Sequence, residues 1–324
     1  MGHPRPRLVV SRCIEFDRVR YDGEIISSDF VRSLKSHVEA IPICPEVELG
    51  LGIPRESLRL VAVDGGARLL QPATGRDLTD AMREWAGRFL DALPDVDGFL
   101  LKSRSPSSGL RDVKLYRTVD GPVVLSGRNP GMFGGMVLVR FESLAVEDEA
   151  RLENARIREH FLTKLYAIAR LRALGARPRM RDLVAFQSQN KLLVMAYSQK
   201  ELRAMGNIVA NREGLDAREV LAAYRAHLLA AMPRAASHRS HINVLMHAAG
   251  YFKEGLSKEE KDLFMRTLDD YRAGLVPLSV PLSLVRSWAV RFKEGFLLQQ
   301  TYLDPFPAGL AAMRSPGEER DYWK

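Results

Sequence analysis

The sequence predicts an α/β domain over residues 1–146, with a Rossmann-like and mostly parallel sheet, followed by an all-α helical domain over 147–324. In the first half, apolar runs of strand length alternate with helical spacing, the pattern of a parallel sheet. Beyond the acidic segment Val146-Glu147-Asp148-Glu149, nearly every apolar pattern repeats at three and four residues. The length of 324 residues is about twice that of a typical domain, and either half can bury its own core.

The strand-length runs lie at 8–10, 41–43, 59–63, 98–101 and 112–116. Between them, 79–93 places Met82, Trp85, Ala86, Phe89, Leu90 and Leu93 on one helical face, and Pro94 stops it. The stretch Ser126 to Gly135 carries four glycines and a proline and is expected as a loop. In the second half, Asn154–Leu174 is expected as a helix closed by Gly175. Segments 180–197, 215–231, 240–252, 258–273 and 280–292 follow, with capping-box patterns at Ser198-x-x-Glu201 and Ser257-x-x-Glu260.

The net charge of +8 divides unevenly. Residues 1–150 carry 20 Lys and Arg against 22 Asp and Glu, whereas 151–324 carry 28 against 18. The second half therefore holds the basic excess expected of a polyanion-binding surface. Its candidates for phosphate contact are Arg156, Arg158, Lys164, Arg170, Arg172, Arg177, Arg179 and Arg181. No apolar run reaches the roughly 18 residues of a membrane span, so a soluble, cytoplasmic protein is expected, with its two cysteines reduced. Neither G-x-G-x-x-G after a strand nor G-x-x-x-x-G-K-[ST] occurs, and the common nucleotide-phosphate signatures are missing.

Cys13 and Cys44 each follow an apolar run, and a third run, Gly98-Phe99-Leu100-Leu101, opens into Lys102-Ser103-Arg104-Ser105-Pro106-Ser107-Ser108-Gly109. Were these three parallel strands, their following loops would meet at the carboxyl edge of the sheet, where open α/β proteins place their sites. Lys102 and Arg104 would suit an RNA phosphate beside that crevice. Taken alone, a cysteine after a strand is most often a small buried hydrophobe, Glu46 could cap a helix after Pro45, and Ser105 and Ser107 could simply satisfy a turn around Pro106 as readily as serve catalysis.

Three blocks carry a resemblance: Ser11-Arg12-Cys13 with Tyr21-Asp22-Gly23, then Pro42-Ile43-Cys44-Pro45-Glu46 with Gly50-Leu51-Gly52, then Lys102 to Gly109. In this order they resemble the signature of the 2-thiouracil desulfurase family. With Phe161-Leu162, Leu183 to Gln187, Asn190 to Leu193 and Asn243 to His247, the chain is similar to fusion proteins recognised as tRNA 4-thiouridine desulfidases. The resemblance implies that tRNA is the partner, with the helical half binding RNA. It also implies a 4Fe-4S cluster on three cysteines whose open iron takes the thiocarbonyl sulfur. Carried over, Cys13 and Cys44 are cluster ligands, Glu46 is the general base, and Ser105 is a hydroxyl that binds the base or relays a proton.

Where the family pattern places its third cysteine this chain has Ser108, and no other cysteine exists. Three readings stay open: a substituted cluster site, a cluster held by two thiolates and an oxygen, and a cluster-free relative. The corresponding functions are a desulfidase impaired to some degree and a non-catalytic protein that binds tRNA or senses its thiolated bases.

Overall fold

The structure, a computed structural model, describes residues 2–121, 124–125, 129–175 and 178–311. Its strands are β1 (Arg7–Ser11), β2 (Glu39–Ile43), β3 (Arg59–Val63), β4 (Gly66–Gln71), β5 (Arg76–Asp77), β6 (Gly98–Leu101), β7 (Leu115–Tyr116), β8 (Val124–Leu125) and β9 (Ala145–Asp148). The helices of the first half are α1 (Asp29–Leu34), α2 (Pro45–Glu48), α3 (Thr79–Asp91) and α4 (Met132–Phe141). Then come α5 (Ala155–Arg172), α6 (Met180–Gln189), α7 (Lys191–Tyr197), α8 (Gln199–Ala210) and α9 (Ala217–Ala231). The last are α10 (His238–Ala249), α11 (Lys258–Ala273), α12 (Ser279–Arg291), α13 (Gly295–Leu298) and α14 (Ala308–Ala311). The α/β-then-helical architecture is the one read from the sequence.

Packing divides the chain into two compact units, Met1–Ala169 with the segment from Phe306 onward, and Arg170–Pro305. The sequence reading puts its boundary at 146/147; the first unit runs further because Phe161, Leu162, Leu165 and Tyr166 of α5 pack into its core.

In the first unit β2, β1, β6 and β9 form a four-stranded sheet in that order, every pair parallel. The chain steps from β1 outward to β2, then crosses to β6 on the other side of β1. Strand order therefore reverses between β1 and β6, and a crevice opens at their carboxyl ends. All four residues of β6 are buried, as a central parallel strand covered on both faces requires. The core on one face gathers Leu8, Val10 and Leu100 of the strands with Phe30, Val31 and Leu34 of α1 and the apolar side of α5. Elsewhere Trp85 and Phe89 of α3 meet Phe133 of α4 with ring centroids 5.5 and 6.0 Å away.

The runs at 59–63 and 112–116 do not join the parallel sheet, as the sequence reading expected. They belong to a second sheet, ordered β5-β4-β3-β7-β8, in which β3 and β4 are antiparallel. The cause is local: Asp64-Gly65 links β3 to β4 directly, and Gly65 has φ +81°, the left-handed backbone of a two-residue hairpin. Of the later run only Leu115–Tyr116 is strand. The glycine-rich segment expected as a loop ends in α4, which starts at Met132; its residues 126–128 lie outside the described ones.

In the second unit the expected helix 180–197 is two helices. Asn190 stops α6, its amide donating to Phe186 O at 2.8 Å and its side-chain oxygen accepting from Thr301 at 2.7 Å. The Ser257 capping box is complete, with Ser257 Oγ accepting from the Glu260 amide and Glu260 accepting from the Ser257 amide. At Ser198 only half of the box forms as drawn, and the Glu201 carboxylate lies 2.6 Å from His227 Nδ1. Among the described residues no helix is long and apolar enough to cross a membrane.

Candidate active site

The three loops read from the sequence meet at the carboxyl edge of the parallel sheet. Cys13 follows β1, Cys44 follows β2, and residues 102–109 follow β6. The Ser11 hydroxyl accepts the Lys102 amide at 2.8 Å, which ties the end of β1 to the start of the long loop. Just after β9, the Glu149 carboxylate accepts the Ser103 amide at 2.7 Å and the Lys102 ammonium at 2.5 Å.

The far end of that loop rests on the N-terminus of α4. Amides of Met132 and Gly134, which have no partner within the helix, donate to Pro106 O and Ser107 O, both at 3.0 Å. A Cβ on Gly134 would lie 2.3 Å from Gly109 O and 2.7 Å from Ser108 O, so the approach depends on glycine. Ser107 and Ser108 are thereby fixed, 0% and 3% exposed.

These loops enclose a cavity of about 410 Å³ lined by Cys13, Cys44, Glu46, Ser105 and Ser108, with Arg20, Tyr21, Arg55, Arg59 and Tyr116 around it. The size is that of a small-molecule site. Glu46 lies in the first turn of α2, and Cys44, at the position before that helix, provides no side-chain cap. One carboxylate oxygen, Oε1, accepts a short hydrogen bond from Ser107 Oγ, which is 2.9 Å from Ser105 Oγ. The other, Oε2, accepts from the Cys44 thiol at 3.3 Å and has Arg55 Nη2 at 3.8 Å. A line of hydroxyls thus runs from Ser105, on the cavity, through Ser107 to a carboxylate. Such a line can carry a proton.

Burial, with Cys44 and Glu46 nearby, pushes the Cys13 thiol up to about 12, and burial with Glu46 does the same to Cys44. Both are neutral thiols at neutral pH, and a bound cation is what would draw off their protons. Both cysteines are free of disulfide. Among the described residues no group of three His, Cys, Asp or Glu side chains forms a metal site; Ser108, at the position where the resemblance places a third cysteine, lines the same cavity as the two sulfurs. Iron accepts oxygen ligands such as tyrosinate as well as sulfur. For an iron-sulfur cluster the cavity offers two thiols and, in the third place, a hydroxyl, a harder and far less acidic donor than a thiol.

Arg55, Arg59 and Tyr116 escaped the sequence reading, and so did the partner of Ser107. Ser107 lay inside a recognised block, but its bond to Glu46 spans 61 positions. Arg55 follows the second block by three residues, and Arg59 and Tyr116 belong to the sheet misassigned above, where the guanidinium lies 4.7 Å from the ring centroid.

The expected RNA contacts fare unevenly. Lys102 is held by Glu149, whereas Arg104 lines the cavity in a left-handed backbone conformation, φ +57°. Lys164 is a correction: it is 6% exposed, too deep for a phosphate, and burial pushes its amine down to about 8. Arg158 donates to Leu152 O at 2.9 Å, and Arg170 to Pro305 O at 2.7 Å. Arg179 and Arg181 flank Asp182, at 2.9 and 3.7 Å. Arg156 and Arg172 have partners too, and Arg177 lies outside the described residues.

Residues 8–149 match the family model described as 2-thiouracil desulfurase, and residues 191–307 match a family described as protein of unknown function DUF1722. The chain therefore carries a 2-thiouracil desulfurase domain in its first half and a DUF1722 region in its second. It is 31% identical over 176 residues to the uncharacterized protein YbgA of Escherichia coli K12, covering 53% of this chain and 94% of that protein. It is 29% identical over 109 residues to the uncharacterized protein YbbK of Bacillus subtilis 168, covering 32% of this chain and 72% of that one. A solved structure of the 4Fe-4S-dependent thiouracil desulfidase TudS is 27% identical, covers 46% of this chain and 94% of its own, and superposes with a TM-score of 0.35.

Proposed function

We propose that the chain removes sulfur from 4-thiouridine in tRNA, replacing the ring C=S with C=O by water and releasing hydrogen sulfide. The observation that carries this reading is the Ser105–Ser107–Glu46 line beside two thiols in one cavity. Cys13, Cys44 and Ser108 would hold an iron-sulfur cluster, which supplies a Lewis-acidic iron with affinity for soft thiocarbonyl sulfur. Glu46 takes a proton from the attacking water, and Ser107 fixes the carboxylate oxygen that Ser105 reaches through it. Arg20, Tyr21, Arg59 and Tyr116 offer cations and ring faces to a base and its phosphates. The basic second half, net +10 over residues 151–324, holds the tRNA backbone. Two unpaired thiols suit a reducing cytoplasm as the place of work.

The test is loss of 4-thiouridine from tRNA incubated with anaerobically reconstituted protein. Turnover supports the reading. Ser108 favours a second one, a protein that binds thiolated tRNA without changing it; salt-sensitive binding with no sulfide released would favour that.

A further inference from the structure

Arg55 is 5% exposed along its side chain, in the wall of the cavity, and belongs to none of the blocks that mark the family. A guanidinium that deep needs partners, and its two arms find them in different places. Nη1 donates to Val19 O at 2.9 Å and to Gly52 O at 3.3 Å, carbonyls from the loops after β1 and after α2. Nη2 faces the reacting groups, 3.7 Å from Cys44 Sγ and 3.8 Å from Glu46 Oε2. Glu46 is thus held from opposite sides, Ser107 on Oε1 and Arg55 beside Oε2.

The planar fork is what allows this. A lysine ammonium could approach the carboxylate or the carbonyls, but its single point of charge cannot span both. Without the Arg55 side chain the Oε2 side of a carboxylate only 12% exposed along its side chain loses its cation, and the two loops lose their side-chain tie, keeping the backbone bond from the residue 55 amide to Tyr21 O at 2.7 Å.

We propose that Arg55 is a positioning residue of the reaction, fixing the Glu46 carboxylate against the cavity while locking the loops that carry Val19 and Gly52. The proposal rests on the desulfidase reading. It places the effect of Arg55 in the chemical step, because the cavity-facing arm of the side chain lies on the base.

The experiment compares Arg55→Lys and Arg55→Met with the unsubstituted full-length chain, all reconstituted anaerobically and all checked for folding by circular dichroism. Turnover is followed on 4-thiouridine-containing tRNA, and hydrogen exchange is followed in the metal-free proteins. Arg55→Met is expected to lower kcat about 10- to 100-fold, the scale of a base displaced by an ångström, with KM within twofold. Arg55→Lys should recover part of kcat. Exchange should quicken around residues 19–21 and 46–53 in both variants and stay unchanged in residues 170–305. Unchanged kcat in Arg55→Met, or a loss carried by KM alone, overturns the proposal, and so does unchanged exchange. If the unsubstituted chain releases no sulfur, the functional reading fails by itself, and the exchange pattern still decides whether Arg55 clasps the loops.

Discussion

Replacing Ser108 by cysteine restores the sulfur that the family pattern calls for, and its two effects can be sized separately. Ser108 is 3% exposed, and its Oγ lies 3.5 Å from Ser107 Oγ, the outer limit of a hydrogen bond. Losing so long a contact costs less than about 1 kcal/mol, and the melting midpoint should move by about 2–4 °C at most. The donor change is much larger. A hydroxyl gives up its proton far less readily than a thiol, so the anionic oxygen donor is much the costlier to form, and a tighter iron-oxygen bond offsets only part of that. Ser108→Cys should therefore keep its iron at least about tenfold longer against a chelator after anaerobic reconstitution, and should clear 4-thiouridine from tRNA faster. Iron and sulfide per chain, read over time beside the tRNA assay, measure both. A variant that melts normally yet holds iron no better than the parent would refute the placing of residue 108 at a donor corner.

Glu46→Gln keeps the shape of the side chain and removes the proton acceptor, so kcat should fall about 10²- to 10⁴-fold in single-turnover assays, with tRNA affinity unchanged. Gly134→Ala drives a methyl into Gly109 O and Ser108 O; it should destabilise by about 1–3 kcal/mol in denaturant melts and slow turnover by displacing the serine loop. Lys164→Met tests a buried amine. Its folded value of about 8 is depressed from roughly 10.4 in the unfolded chain. The unfolded chain therefore binds more protons between those values, and this component of stability rises with pH across that window. The variant should melt higher than the parent at pH 7, with the advantage shrinking toward pH 10. Taking the difference between the two proteins removes the opposing contribution of the raised Cys13 and Cys44 thiols.

The site was legible where chemistry is local. A cysteine after an apolar run, twice, and a hydroxyl-rich loop after a third run place Cys13, Cys44, Glu46, Ser105 and Ser108 in one cavity through nothing more than parallel strands. Arg55 and Tyr116 were not legible. The first reaches the site because its loop turns back on itself, and the second because β7 pairs with β3, a non-local choice that no run of apolar residues encodes. The hairpin at Asp64-Gly65 had a readable signal in its turn residues, and the strand-length run before it masked that signal. Charge misled in a different manner. Lys164 has the spacing of a surface residue on a basic helix, yet Leu162, Leu165 and Tyr166 around it are core, and it is buried with them. Composition reports how many arginines a half contains; it does not say which of them already hold a carbonyl or a carboxylate.

Phe306 and Leu310 belong to the core of the first unit, although the whole of the second unit precedes them in the chain. On the ribosome the cavity-bearing unit is made first and finished last. At roughly 5–20 residues per second, translation of residues 170–305 leaves that core open for on the order of ten seconds, with the two thiols of the nascent site already outside the tunnel. The helical unit, begun later, is complete earlier. A fragment ending at residue 146 would never receive those closing residues, and it would also lack the Glu149 that grips the start of the serine loop.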